Sequence, residues 1–431
     1  MLSITGQYLA RYRQLGTGSG AEALLPVTGA QRRFVLVRSL DPAGRPDLVP
    51  MFFAFPHGTV DVERLTAAGN RLAARHPVLR ARPVVVRGTP VLRPEQPDVP
   101  VTRVPCGPGE TAAAALRRAL GDWTPQGSPL RMFLTQDDAH TGDETLAVVL
   151  DHSACDGRSL ARIVEELGAA HAEGTDAEGP SPAETAAELA AYREAVLLQL
   201  DAEDRATSPS AMAYWGERLR AVRDQAPAPR PERPAAGTLP SGSAELQLPS
   251  SAGSVPFPDL LDACRAAARV LYGPGHAVPL GYPWGGRPAG AAPVLGCFLN
   301  TVVFPAATGH SPAAEVTADA WWDDLDRADT PFDAVVHAAR AAGSAWTGRL
   351  DGLLTVDDAL QRPPLHLGGV AGREIQVDGR AVRGPFAVSV TQGSALRLRM
   401  VWDRAVLDDH TAEHAFAALA DSVRASTRAA T

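Results

Sequence analysis

The sequence predicts an α/β protein built in layers, and three observations carry that prediction. Stretches of strand character alternate with stretches of helical period along all 431 residues. The apolar run Thr145 to Leu150 (TLAVVL) passes through a short loop into Leu160, Ile163, Val164 and Leu167, whose spacing places one stripe on a helix. The two halves share similar length and mixed character without a short repeat, so two lobes related as a pseudo-dimer are expected.

The elements follow in order. Residues 1–26 hold the run Gly16-Thr17-Gly18-Ser19-Gly20. It completes neither G-x-x-x-x-G-K-[ST] nor G-x-G-x-x-G, and reads as a loop rather than a phosphate cradle. Thr28 to Phe34 is a turn entering a short helix. Residues 48–55 (LVPMFFAF) read as a buried strand, in which Pro50, lacking an N–H, marks an edge or bulge. Asp61 caps a helix carrying Val62, Leu65 and Leu72, and Pro77 stops it. A strand to about Val86, a helix over 112–120 and a strand over 130–134 lead to the TLAVVL strand. Beyond the helix that follows it, residues 171–182 (HAEGTDAEGPSP) are rich in Gly, Pro and acidic residues and read as a lobe boundary.

Helical patterns cover 183–204 and 211–223. The Pro-rich stretch 226–243 reads as an exposed loop or linker and, on composition alone, equally as the domain boundary. The second half predicts a helix over 257–272, extended chain over 276–281 and a strand over 299–304. Pro331 is placed as the first residue of a helix with Phe332, Val335 and Val336 inward. The alternating strand 395–402 (ALRLRMVW) precedes a last helix, 409–423, that buries Phe416, Leu419, Ala420 and Val423.

Composition narrows the function. A hydrophobic share of 45% and a charged share of 21% are those of a soluble globular protein. A net charge of −8 speaks against general nucleic-acid binding. Cys106, Cys155, Cys264 and Cys297 are widely spaced, with no C-x-x-C pair, and read as buried thiols. The first residues lack the apolar core of a signal peptide, and no long apolar span follows, so a cytoplasmic protein without membrane contact is expected.

The stretch with chemistry in it is Asp151-His152-Ser153-Ala154-Cys155-Asp156-Gly157. It lies where a strand ends and a helix begins, a common place for chemistry in α/β folds. A neutral imidazole at His152 can take a proton from a nucleophile or hold it by hydrogen bond. Asp156 is placed to cap the helix, and Gly157 lets it start tightly. The plainer alternative makes His152 an ordinary loop histidine and Asp156 a cap only. Metal binding is not supported, because no second His or Cys ligand lies nearby in sequence. Cys155 is read as packed rather than nucleophilic.

At this point the chain resembles the condensation domains of nonribosomal peptide synthetases, within the chloramphenicol-acetyltransferase-like superfamily. The central motif of that family is His-His-x-x-x-Asp-Gly, matched from Asp151 to Gly157 except at its first His. Thr28 to Phe34, Arg75-His76-x-x-Leu79-Arg80, Tyr214-Trp215, Gly281 to Arg287, Leu295 to Thr301 and Thr330 to Asp333 resemble its other signatures in the right order. The likeness spans about residues 25–425. It implies two chloramphenicol-acetyltransferase-like lobes forming a V, 1–177 and 178–431, with a substrate tunnel between them and the Pro-rich stretch demoted to an insertion. Asp151 in place of the first His, and Ala387 where the family has an Asp, are departures.

The resemblance implies an acyltransferase. An amine or alcohol acceptor attacks a thioester carbonyl, on a carrier-protein phosphopantetheine or on CoA, with His152 as base or positioning residue. The Gly157 N–H helps the oxyanion. Asp156 pairs with Arg287 structurally, Asp151 serves the fold, and Ser153, Trp284 and Asn300 line the tunnel. No metal or organic cofactor is implied, and a free-standing monomer is expected. The alternative is a non-catalytic relative that recruits a tailoring enzyme to a carrier-bound peptide. Such relatives typically lose the His or the Asp-Gly pair, and both are present here. An epimerase-type relative is a third reading.

Overall fold

A computed structural model of the chain describes residues 3–16, 24–40, 47–124, 127–135, 142–225, 239–249, 255–309, 314–358, 363–382 and 384–429. The Gly-rich residues 17–20 and most of the Pro-rich stretch, 226–238, lie outside the described residues. The first half carries helices α1 (Ile4–Leu15), α2 (Gly29–Leu40), α3 (Val62–Arg75), α4 (Ala112–Gly121), α5 (Gly157–Glu173), α6 (Pro182–Arg205) and α7 (Pro209–Arg218). Then come α8 (Phe257–Tyr272), α9 (Ala314–Leu325), α10 (Phe332–Ala341) and α11 (Asp409–Ala429). The strands begin with β1 (Leu48–Pro56), β2 (Ala81–Val86), β3 (Thr89–Pro94), β4 (Val101–Val104), β5 (Leu130–Thr135) and β6 (Asp143–Asp151). Next are β7 (Ser241–Pro249), β8 (Ala277–Gly285), β9 (Leu299–Ala307) and β10 (Gly352–Asp358). The last are β11 (His366–Leu367), β12 (Val370–Ala371), β13 (Arg373–Ile375), β14 (Phe386–Gln392) and β15 (Ala395–Asp403). Among the described residues no helix is long and apolar enough to cross a membrane.

The chain divides into two compact units. The first comprises Met1–Glu203, Gly286–Leu299 and Arg362–Val377; the second comprises Asp204–Gly285, Asn300–Gln361 and Asp378–Thr431. The single cut expected at 177/178 is therefore replaced by a later cut and two returns of the chain. The physical reason is α6: Tyr192, Ala195, Val196 and Leu200 bury themselves in the core of the first unit, so the Gly/Pro-rich stretch before that helix is a loop inside the unit.

The first unit is organised on a five-stranded sheet, β13-β1-β6-β5-β4. β6 is central and antiparallel to both β1 and β5. Its side chains alternate between two cores, as the two-residue period of a strand requires. Leu146, Val148 and Leu150 face a core closed by α3 and α5, with Leu65, Leu72, Ile163 and Leu167. Ala147 and Val149 face a smaller core with Leu116, Leu120 and Trp123. Burial on both faces explains the continuous apolar run in the sequence. Pro50 is tolerated in β1 because the outer neighbour, β13, pairs only with Phe52 to Ala54.

A second fastening joins three helices of this unit. His76, the C-cap of α3, is 0% exposed. Its Nε2 lies 2.6 Å from Glu166 of α5 and its Nδ1 3.0 Å from Glu188 of α6. Burial alone would lower the histidine's pKa, but the two carboxylates outweigh it and the value is raised above the ordinary 6.5.

The second unit has a six-stranded mixed sheet, β7-β15-β14-β10-β8-β9. The alternation read from ALRLRMVW is literal: Leu396, Leu398, Met400 and Trp402 enter the core with Leu260, Leu261 and Cys264 of α8 and Leu419 and Val423 of α11. Asp324, 0% exposed, takes Arg218 Nε and Nη2 at 2.9 and 3.0 Å and the Tyr214 hydroxyl at 2.7 Å, tying α9 to α7. The strands read at 276–281 and 299–304 and the last helix run longer than the sequence reading, and two further boundaries differ from it. α7 stops at Arg218, leaving Leu219 and Val222 to bury themselves from a turn rather than from a longer helix. Pro331 is the N-cap of α10, not its first residue, because Phe332 N–H is taken by the Asn300 side chain at 3.1 Å.

Candidate active site

The motif occupies a tight corner. β6 ends at Asp151, a 3-10 turn covers His152–Ala154, and α5 starts at Gly157. Asp151 is buried and caps the turn, accepting the Ser153 N–H at 3.0 Å and the Ser153 hydroxyl at 2.6 Å. Its other oxygen takes Arg38 Nη2, from α2, at 2.6 Å. The next residue points elsewhere, as neighbours at a strand end do. The His152 ring is half-buried and stacks on Phe34, 5.0 Å between centroids, while its backbone N–H donates to Asp47 O at 2.8 Å. Gln31 secures the turn from outside the motif: Nε2 donates to Ser153 O at 2.8 Å and to the Tyr192 hydroxyl at 3.0 Å. Its Oε1 accepts the Thr28 N–H at 3.0 Å.

Asp156 fixes the start of α5. Its side chain is 0% exposed and accepts Ser159 N–H at 3.0 Å, Ser159 Oγ at 2.9 Å and Phe298 N–H at 3.1 Å. Arg287 Nη1 reaches both carboxylate oxygens, at 2.7 and 3.0 Å. That guanidinium also donates to Val294 O at 2.7 and 2.9 Å and lies over the Phe298 ring, 4.7 Å from its centroid. Gly296 sits in the same weave, its carbonyl accepting the Ser159 hydroxyl at 3.0 Å. A Cβ on it would come 2.7 Å from the Phe298 ring, at a φ of +154°, so only glycine lets the backbone approach this closely. The loop carrying Arg287 is thereby stitched to the N-terminus of α5.

The remaining sequence candidates fall into place as follows. Gly157 is exposed at the first position of α5, where a helix has N–H groups without intrahelical acceptors. Ser153, expected to line a tunnel, is buried with its hydroxyl committed to Asp151. Asn300, expected there too, spends its amide donors on Ala328 O and Thr330 O at 2.7 and 2.6 Å. Trp284 is half-buried against the second unit's core. Cys155 is fully buried in the first unit's core. Arg80, in the signature that follows α3, donates to Glu95 O at 2.8 Å. Arg38, Gln31 and Phe34 complete the site without having been singled out. Thr28 to Phe34 carried a family-like pattern, which was the available signal for two of them; Arg38 had none.

No family profile matches the chain. A probable non-canonical nonribosomal peptide synthetase, CymA of Salinispora arenicola, is 26% identical over 428 residues. That alignment takes in 86% of this chain and 5% of the relative, so the chain spans a small part of the curated protein it resembles. Among solved structures, the first condensation domain of the CDA synthetase superposes with a TM-score of 0.66 at 16% identity, covering 94% of this chain and 96% of that one. The X-domain of teicoplanin biosynthesis, solved in complex with OxyB, gives 0.64 at 18%, covering 94% and 93%. The chain therefore has the condensation-domain fold, as the order of its motifs implied.

Proposed function

We propose that this condensation-type domain is an acyltransferase of nonribosomal peptide synthesis. A thioester donor, on a carrier protein or CoA, meets a small amine or alcohol acceptor at His152. The acceptor's nitrogen or oxygen attacks the thioester carbonyl, the carbon–sulfur bond breaks, and the acceptor's proton leaves with the thiol. His152 takes that proton or holds the nucleophile in line. Its Nδ1 is shielded from solvent, which leaves Nε2 to meet the acceptor. The Gly157 N–H, at the positive end of α5, stabilises the oxyanion. Asp156 and Arg287 keep the turn rigid and do not touch substrate. Asp151 takes the same kind of structural role through Arg38 and Ser153.

The observation that carries this reading is the pairing of a half-buried His152 ring with a turn whose other polar side chains, Asp151, Ser153 and Asp156, are committed to the protein. Incubation with acyl-carrier thioesters and candidate amines, followed by mass spectrometry of products, tests it. His152→Ala is expected to lower product formation by about 10²-fold with an unchanged melting curve. The likeness to an X-domain that binds OxyB supports a second reading, recruitment of a tailoring enzyme. Unchanged turnover in His152→Ala removes the histidine from the chemistry, and no turnover in either protein with capture of an oxygenase favours recruitment.

A further inference from the structure

Helix α2 meets the motif turn with three side chains of one stripe. Gln31, Phe34 and Arg38 are spaced three and four residues apart, which puts them on one face of the helix. They take three consecutive residues of the turn, one each. Arg38 Nη2 holds the Asp151 carboxylate, the Phe34 ring stacks on the His152 imidazole, and Gln31 Nε2 donates to Ser153 O. The two hydrogen-bonded contacts tie the turn down on either side of His152. The ring contact bears on the imidazole itself.

The helix is pinned at its start, so the Phe34 ring has a fixed origin. Thr28 and Gln31 form a capping box: Gln31 N–H donates to Thr28 Oγ1 at 3.2 Å, and Thr28 N–H donates to Gln31 Oε1 at 3.0 Å. The Thr28 hydroxyl donates to Cys297 O at 2.8 Å, and Gly29 N–H donates to Glu203 Oε1 at 3.0 Å. Val35, next to Phe34, is buried. The Phe34 and His152 rings, 5.0 Å apart and 29° from parallel, fall within the separation of offset-stacked pairs, about 4.5–7 Å. Rotation of a histidine ring about its Cβ–Cγ bond is otherwise broad. A ring laid on one face of the imidazole narrows it. That matters for rate, because a proton acceptor acts only in near-attack geometry.

We propose that Phe34 is a positioning residue of this site: on the acyltransferase reading, on which this rests, its ring sets the plane of the His152 imidazole and so aims Nε2 at the acceptor. The test uses the full chain with isotope-labelled histidine, together with the thioester assay. The ring-proton signals of His152, assigned with His152→Ala, lie in the Phe34 ring current. In Phe34→Leu they should move while the other histidine signals keep their places. The same variant should show kcat lowered about tenfold and KM within about twofold of wild type. Its melting curve should be unchanged, because leucine refills most of the half-buried space. Phe34→Tyr should restore both the signals and kcat. Leu36→Ala, on the exposed side of the same helix, should alter neither. His152 signals unmoved in Phe34→Leu overturn the proposal whatever the turnover. It is also overturned by moved signals with kcat unchanged, or by a loss of kcat that tracks a lower melting temperature and is not rescued by Phe34→Tyr. A wild type inactive on every thioester overturns instead the acyltransferase reading, and with it the aim at an acceptor, while the ring signals still decide the stack.

Discussion

Each unit contains a fully buried aspartate held by a two-bond arginine, and the two pairs do different work. Asp156 with Arg287 and Asp324 with Arg218 have nearly the same inventory: carboxylates 0% exposed, and arginines 11% and 23% exposed. The difference lies in the remaining lone pairs. Those of Asp156 accept backbone N–H groups of Ser159 and Phe298, so the pair dictates the path of a turn. The third partner of Asp324 is a side chain, the Tyr214 hydroxyl, so that pair fastens two helices and steers no loop. Burial and pairing alone thus do not mark a functional site. What matters is which backbone the pair fixes and which side chain stands next to it.

The largest effect expected is from breaking the first pair. Arg287→Met strands a buried carboxylate and should destabilise the protein by about 3–5 kcal/mol, seen in denaturant melts. Thioester turnover should fall beyond what the folded fraction explains, because the turn under His152 loses its path. Arg218→Met should lower stability on the same scale while leaving turnover per folded molecule within about twofold, since only the fastening is lost. Loss of turnover in a well-folded Arg218→Met protein would break the comparison.

Asp151 offers an intermediate case. Asp151→Leu removes the acceptor of Ser153 and Arg38 and should cost about 2–3 kcal/mol in melts, the scale of bonds to a charged group. Asp151→Asn keeps a cap and should retain most turnover. Asp151→His, which restores the family residue, should be tolerated poorly beside Arg38. Abolished turnover in a stable Asp151→Asn protein, with a displaced pH–rate profile, would show that the carboxylate tunes His152 itself.

The smallest effect is a slope rather than a loss. His76 has a folded pKa raised above its unfolded value, so its contribution is fully present below about pH 6.5 and fades as pH rises through the higher folded value. Glu166, half-buried but bonded to His76 and Arg162, is held down to about 2, so its contribution is present above the ordinary carboxylate range and is lost in acid. Stability measured against pH should therefore decline on the alkaline side in the wild type. His76→Gln should flatten that decline; a wild-type curve level from pH 6 to 9 would remove the histidine from the account.

Much of this was legible in the sequence because it is local or periodic. TLAVVL, the stripe from Leu160 to Leu167 and the alternation of 395–402 each declare their element through period alone, and the helix over 257–272 matches α8 end to end. The motif placed His152 and Asp156 on one corner, and the family likeness offered Arg287 as a partner. What escaped was short or distant. β11, β12 and β13 are two or three residues long and largely exposed, so they carry no pattern. Arg38 reaches Asp151 across 113 residues of chain, a contact that no spacing encodes. The two returns of the chain to the first unit were invisible for the same reason.

Those returns set a timetable for synthesis. Asp156 leaves the ribosome 131 residues ahead of Arg287, which at ordinary synthesis rates is roughly 10 s. During that interval the nascent motif turn has its helix cap but not its cation. The wait is longer at the sheet margin: Phe52 to Ala54 of β1 stay uncovered until Arg373 to Ile375 arrive. An apolar strand with an open margin is a template for wrong pairing. The N-terminal 203 residues made alone would keep both defects permanently, so a fragment cut at the first unit boundary should precipitate, and co-expression with the remainder is the arrangement in which it has a chance to mature.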